Sequence, residues 1–251
     1  MSTHEESILD QFTRQAVTFA TAPAIRAEAA MRLVLELTAA GPADASLDVA
    51  CGPGLLVCAF AKVVRHATGI DLTPAMLERA RVEAQGLTNV AWDLGDVGAL
   101  PYPDGRFTIV TSRFAFHHLL DPLATLREMS RVCAPGGRMA VIDSAPRPDK
   151  ADAFNAMEKL RDPSHTRAMP EAELRGLFHA VGLPTPRVAT YPLEGDLDGL
   201  LARSFPNPGD EAKIRRLFEA SLTDDRLGVG PRRDGALIRY AYPVAVLVAT
   251  K

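Results

Sequence analysis

Between residues 46 and 143 the chain alternates short, apolar, β-branched runs with segments of helical period, and this alternation constrains the fold more than any other feature. Ser46–Ala50, His66–Asp71, Asn89–Leu94, Phe107–Ser112 and Arg138–Asp143 read as strands, the last entered from a Pro135-Gly136-Gly137 turn. Leu55–Val64, Pro74–Gln85 and Pro122–Cys133 read as the helices between them. Strands separated by helices imply parallel β-α-β units with right-handed crossovers. Upstream, residues 7–38 read as helix in two pieces divided at Pro23. Beyond Asp143 the pattern changes. Helices are expected at Ala151–Leu160, Glu171–Val181 and Asp196–Leu222, the last broken at Pro206-Asn207-Pro208-Gly209. Strands are expected at Arg187–Tyr191 and Leu237–Ala249, with an interruption at Pro243.

A chain of 251 residues suits one α/β domain with insertions, large enough to bury its core without disulfide or metal staples. The 28 basic and 31 acidic residues argue against a dedicated nucleic-acid or membrane surface. No apolar run approaches the roughly 20 residues of a membrane span. Met1–Asp10 is acidic and polar, unlike a signal peptide. Cys51, Cys58 and Cys133 form no CxxC pair and read as free thiols of a cytoplasmic protein.

The first strand runs into Leu47-Asp48-Val49-Ala50-Cys51-Gly52-Pro53-Gly54 and then a helix. Small residues at such a turn let backbone approach a ligand, and open α/β sheets bind ligands at the carboxyl ends of their strands. The second strand ends in Asp71, where a carboxylate can accept both hydroxyl protons of a ribose. A dinucleotide site expects a third glycine where Val57 stands, and Asp48 adds an acid at the first strand's end. Both departures favour a nucleoside with a cationic amino-acid tail over a pyrophosphate.

The runs LDVACGPG, GIDLTPAMLERA, GDVGALPYPDGRF and HHLLDPLATLREMSRVCAPGGRMAVID resemble, in order and spacing, the class I S-adenosylmethionine-dependent methyltransferases. The nearest type is the ubiquinone/menaquinone C-methyltransferase-like (type 11) group. The resemblance covers about residues 10–185; Ala50 departs from it by replacing the first glycine of D-x-G-x-G-x-G. It implies a Rossmann-like, seven-stranded mixed sheet of order 3-2-1-4-5-7-6, with only the last strand antiparallel. Around a core at 41–144 it implies a helical cap at 1–40 and lid insertions at 145–168 and 194–232. The implied cofactor is S-adenosyl-L-methionine, with S-adenosyl-L-homocysteine as product. Asp48 and the turn of Ala50, Cys51, Gly52 and Gly54 would face the methionine portion and ribose. Asp71 would take the ribose hydroxyls, Leu72 and Met76 would sandwich the adenine, and Asp96 and Val97 would meet its amine and face. Ser112 and Arg113 would lie near the methionine carboxyl. Plainer readings stand beside these: Asp71 as a cap of the next helix, and Asp96 as a turn residue.

Methyl transfer to carbon or a phenol needs alignment and, often, a base. His118, beside His117 after the fourth strand, and His165, in the following insertion, are candidate bases. Arg167 is a candidate for a substrate carboxylate or a partner for Asp162. Phe12, Phe19, Phe114 and Phe116 are candidates for an aromatic pocket wall, with plain core as the competing reading. The fourth strand ends in Ser112-Arg113-Phe114-Ala115-Phe116, without the Asn/Asp-Pro-Pro-aromatic tetrapeptide of amino-methylating nucleic-acid enzymes or the metal-holding Asp of catechol enzymes. The expected partner is therefore a small organic acceptor, with no nucleic acid, no membrane span and no metal; no feature specifies an oligomeric state. Competing functions are a silent or regulatory protein on this fold, a non-methylating enzyme such as a cyclase and, more distantly, a nicotinamide dehydrogenase.

Overall fold

The computed structural model describes residues 3–251; Met1 and Ser2, the start of the expected cap, lie outside the described residues. The strands are β1 (Ala45–Val49), β2 (His66–Asp71), β3 (Val90–Leu94), β4 (Phe107–Arg113), β5 (Cys133–Ser144), β6 (Arg187–Asp196), β7 (Arg232–Asp234) and β8 (Leu237–Thr250). They form one mixed sheet of order β3-β2-β1-β4-β5-β8-β6, with β7 paired to β8. The pairs among β1–β5 are parallel, and β8 runs antiparallel to both β5 and β6. The expected order holds, with four differences. β5 begins at Cys133, so the Pro135-Gly136-Gly137 segment read as a turn lies within the strand. The short hairpin strand β7 (Arg232–Asp234) makes eight strands instead of seven. β6 extends five residues past Tyr191. β8 passes through Pro243 unbroken, because that residue, opposite Pro192, contributes its carbonyl to Ala145 N at 2.8 Å and lacks only a donor.

Helices cover both faces, so β1 is buried along its whole length, including the polar Ser46 and Asp48 that alternate with Ala45, Leu47 and Val49. The helices are α1 (Thr3–Thr21), α2 (Glu28–Leu37), α3 (Leu55–Ala61), α4 (Pro74–Glu83), α5 (Pro122–Val132), α6 (Ala151–Arg161), α7 (Glu171–Ala180), α8 (Leu197–Ala202) and α9 (Asp210–Asp224). Successive β5 residues serve opposite faces. Met139 and Val141 pack with Leu126 and Met129 of α5 and Phe178 of α7, while Ala140 and Ile142 pack with Val34 of α2 and Phe60 of α3. A third, smaller core joins Phe154 and Met157 of α6, Leu197 of α8, Ile214 and Phe218 of α9, and Tyr240 and Tyr242 of β8. The β6–β8 ribbon thus outruns the central sheet and carries the α6, α8 and α9 helices on its far end.

Gly54 shows how closely the first turn is packed. Its φ is +77°, and a Cβ there would meet the Trp92 ring at 2.4 Å and the Ala80 Cβ at 2.9 Å. Gly176, exposed within α7, has nothing within 4 Å. Gly54→Ala is therefore expected to lower stability by about 2–4 kcal/mol through overpacking and backbone strain. Gly176→Ala is expected to raise it by about 0.5–1 kcal/mol. Urea unfolding of both variants checks this; equal midpoints for the two would contradict it.

Candidate active site

The carboxyl ends of β1, β2 and β4, roofed by α1, enclose a cavity of about 250 Å³. Asp48, Ala50, Cys51, Gly52, Asp71, Leu72, Met76, Asp96, Val97 and Arg113 all border it. α1 packs against α4, and Arg26 just beyond it holds Glu83 through two hydrogen bonds of 3.0 and 2.7 Å. The roof brings Ile8, Phe12 and Phe19 to the cavity. Of these Ile8 was not anticipated, because amphipathic spacing marks a buried face without saying what it faces.

The turn after β1 is built from left-handed residues: Ala50 at φ +56°, Gly52 at +53° and Gly54 at +77°. Ala50 adopts the conformation that glycine would take more easily, at about 1–2 kcal/mol. Asp71 pins this turn. Its Oδ2 accepts from Gly52 N at 2.8 Å and its Oδ1 from Thr73 N at 2.9 Å, which also fixes the start of α4. Gly54 itself does not border the cavity; it lets Trp92 pack behind the turn. Asp96 Oδ1 accepts from Gly98 N at 2.9 Å, so Asp96 is both a turn residue and part of the cavity wall.

Asp48 lies fully buried beneath the turn, with Thr111 Oγ1 donating to its Oδ1 at 2.7 Å. Burial pushes its carboxyl up to about 7, against the opposing pull of Thr111 and the charge of Arg113. Burial likewise raises Asp71, against the backbone donors of Thr73 and Gly52. Arg113 donates to Ile25 O at 2.9 Å and stacks at 4.5 Å over Phe114, which is itself strained at φ +56°. Ser112 Oγ donates to Val49 O at 2.8 Å behind the cavity, not into it.

A second chamber of about 110 Å³ shares Phe12, Phe19, Phe114 and His118 with the first. His118 thus stands in the wall between them. Its Nδ1 lies 3.1 Å from Ser164 Oγ, and that hydroxyl lies 2.6 Å from Asp162 Oδ1, whose other oxygen accepts from Gln15 Nε2 at 3.0 Å. Burial works against ionisation of Asp162, yet His118, Arg161 and the Ser164 and Gln15 donors hold its carboxyl below the ordinary range. An ionised Asp162 is the stronger acceptor for the one hydroxyl proton of Ser164. His118 Nδ1 is then the donor to Ser164, and Nε2 carries the lone pair. Burial, reinforced by His117, holds the His118 pKa well below its ordinary value, so the ring is neutral near pH 7. Burial would also lower His117, but Asp143, 2.5 Å from its Nδ1, outweighs that and raises it.

The other candidates lie elsewhere. His165 is buried behind the chamber with Nε2 2.7 Å from Asn155 Oδ1, and burial, then His117, lowers it to about 4. Phe116 is core, packed from a 3-10 turn over Phe116–His118 into the α5–α7 face. Arg167 borders neither space and pairs with Glu173 at 2.5 and 2.8 Å, in place of Asp162.

Known proteins resemble this chain in sequence and in fold. A methyltransferase domain matches residues 47–141. The uncharacterized methyltransferase YcgJ of Bacillus subtilis (strain 168) is 35% identical over 181 residues, 70% of this chain and 71% of its own. The YcgJ crystal structure superposes with a TM-score of 0.82 at 26% identity, covering 89% of this chain and 98% of that one. The ubiquinone/menaquinone biosynthesis C-methyltransferase UbiE of Ruegeria sp. (strain TM1040) is 34% identical over 134 residues, 51% of this chain and 52% of its own. Geranyl diphosphate C-methyltransferase of Streptomyces coelicolor A3(2), solved with Mg2+, geranyl diphosphate and S-adenosyl-L-homocysteine, shares the fold at a TM-score of 0.61 and 19% identity, covering 88% of this chain and 78% of that one. The chain belongs to the class I S-adenosylmethionine-dependent methyltransferases. Among its described residues no helix is long and apolar enough to cross a membrane.

The buried Asp48 makes stability depend on pH. Its carboxyl titrates near 7 when folded and near 3.8 as a free side chain, so the folded state holds the proton across that window and loses stability as pH rises through it. Asp48→Asn removes this loss. The variant's stability relative to wild type is expected to improve by about 2 kcal/mol or more between pH 4 and pH 8. Urea titrations of both proteins at the two pH values measure it; a constant difference would show that Asp48 ionises normally.

Proposed function

We propose that the chain transfers the methyl group of S-adenosylmethionine to a small organic acceptor, at carbon or oxygen, with His118 as the base. The observation that carries this reading is the shared wall: a neutral imidazole with a bare Nε2 separates the acid-lined cavity from a second, smaller chamber. Gly52 supports placing the cofactor in the larger space. A Cβ there would meet nothing nearer than Met76 Sδ at 4.0 Å, so its backbone faces open room. Asp71 keeps unused lone pairs on both oxygens for a ribose diol after accepting from Gly52 and Thr73. Leu72, Met76 and Val97 offer apolar faces for a purine between Asp71 and Asp96. Asp48, held largely protonated below pH 7, is suited to ionise when a positively charged group arrives. When bound, the cofactor supplies an electrophilic methyl on a sulfonium sulfur.

The chain's own contribution is alignment, exclusion of water and one proton transfer. α1 covers both spaces, and α6 and α8 wall the second chamber, which keeps water from the reacting atoms. An acceptor O–H or acidic C–H would give its proton to His118 Nε2 as its oxygen or carbon takes the methyl, whose bond to sulfur breaks with the electron pair staying on sulfur. Ser164, fixed by Asp162, holds His118 in the tautomer this requires. The quinone-named relatives match over about half their own length and support a small organic acceptor in general.

The test is incubation with S-adenosylmethionine carrying a deuterated methyl and a panel of phenols and enolisable carbonyl compounds, read by mass spectrometry. Labelled product is expected. His118→Asn should lower kcat by about 10²–10⁴-fold while binding S-adenosylhomocysteine as tightly as wild type. Imidazole nitrogen NMR should report the Nδ1-protonated tautomer of His118, lost in Ser164→Ala. An Nε2-protonated ring in wild type would remove His118 as base.

A further inference from the structure

The polar groups around the second chamber divide into those the chain satisfies and those it does not. Glu158 receives Arg161 at 2.7 Å and the Tyr242 hydroxyl at 2.5 Å. Asp162 receives Gln15 and Ser164, and His117 is held by Asp143. Glu194, at the edge away from His118, receives Arg232 at 3.1 Å. Two donors remain. The Arg203 guanidinium has no hydrogen bond and no carboxylate within 4.0 Å among the described residues, and the buried Tyr240 hydroxyl has no hydrogen bond among them either.

These two donors belong together. Arg203 is near enough to Tyr240 to bear on its hydroxyl electrostatically, and burial keeps that hydroxyl protonated and therefore a donor. Gly195 stands opposite Tyr240 in the β6–β8 register, and a Cβ there would lie 2.6 Å from Tyr240 Oη. The absence of a side chain at 195 gives the hydroxyl its seat. Arg203 also borders the neighbouring surface groove, but Arg232, Arg233 and Arg239 of that groove are each paired, with Glu194, Glu219 and Asp234. The unpaired cation therefore lies at the end of the chamber remote from His118, which sits with Phe12, Phe19 and Phe114 on the side shared with the cofactor cavity.

We propose that Arg203 and the Tyr240 hydroxyl bind a carboxylate of the acceptor, so that the methylated substrate is a compact acid with an apolar or aromatic body. A guanidinium fork matches a planar carboxylate, and a phenol adds a third donor. One free cation balances one negative charge, and the nearby Glu194 and Asp196 disfavour a doubly charged phosphate. The body of such an acid lies against Phe12, Phe19 and Phe114, and its far end reaches His118. This identity as acceptor rests on the methyl-transfer reading, whereas the carboxylate site is testable without turnover.

Calorimetry with S-adenosylhomocysteine comes first and judges the cofactor reading by itself. The saturated protein is then titrated with 4-hydroxybenzoate, its neutral counterpart 4-hydroxybenzamide, and phenyl phosphate. Wild type should bind the acid roughly tenfold or more tightly than the amide, as expected for hydrogen bonds to a charged group. Arg203→Gln should bring the two within about twofold, Arg203→Lys should keep part of the preference, and Tyr240→Phe should reduce it severalfold. S-adenosylhomocysteine affinity and thermal unfolding should be unchanged in Arg203→Gln, which separates loss of the site from loss of the fold. Equal affinity for acid and amide, no binding of the acid to cofactor-loaded protein, tighter binding of phenyl phosphate, or a preference that survives Arg203→Gln would each overturn the proposal.

Discussion

The carboxylate of Asp71 holds two loops at once. One oxygen takes Gly52 N and the other takes Thr73 N, so the turn after β1 and the helix start after β2 are locked to the same side chain. Ala50 and Gly52 lie in left-handed conformations that cost free energy or demand glycine, and such a turn persists only when its surroundings hold it. Trp92 closes it from behind, against Gly54 and Gly69, where added Cβ atoms would come within 2.4 and 2.7 Å of the ring. The cavity is the space left over when these constraints are met, and it falls at the carboxyl ends of parallel strands, as in other open α/β sheets.

The same economy governs the acids and imidazoles around it. Asp48 and Asp162 are both buried carboxylates, yet their charges diverge because their partners differ. Asp48 has a single hydroxyl and a more distant Arg113, too little to offset burial. Asp162 has a serine, a glutamine amide and Arg161 close by, and stays ionised. That difference gives one acid a changeable charge beside the larger cavity and makes the other a fixed anchor for His118. Gln15 makes the roof helix part of the anchor, so the position of α1 and the orientation of the imidazole are tied to the same carboxylate.

The central sheet was legible because its elements are local: each strand and helix between 46 and 143 announces itself by period, the crossover rule supplies the handedness, and the strand order came from the family resemblance. The turn and Asp71 were legible for the same reason, since small residues and a strand-ending acid have few uses. Legibility failed where tertiary contact decides. Phe114 and Phe116 are two residues apart and would share a strand face, but φ +56° at Phe114 and the 3-10 turn after it break the alternation, sending one to the cavity and the other to the core. Arg167 had Asp162 nearby in sequence, but Asp162 was already committed to Gln15, 147 residues away. The last five residues of β6 look like loop by composition and are strand because β8 offers them a partner. Gly54 reads as a ligand-facing glycine, and only Trp92 reveals that it is a packing one.

The most direct test of the Asp71-centred site is calorimetric titration of S-adenosylhomocysteine into wild type and Asp71→Asn. Asparagine can still accept from one of the two backbone donors, so the fold should survive, as a cooperative thermal transition would verify. Micromolar binding to wild type, weakened roughly tenfold or more in the variant, is the predicted result. Absence of binding to wild type, or equal affinity in both proteins, would contradict the account.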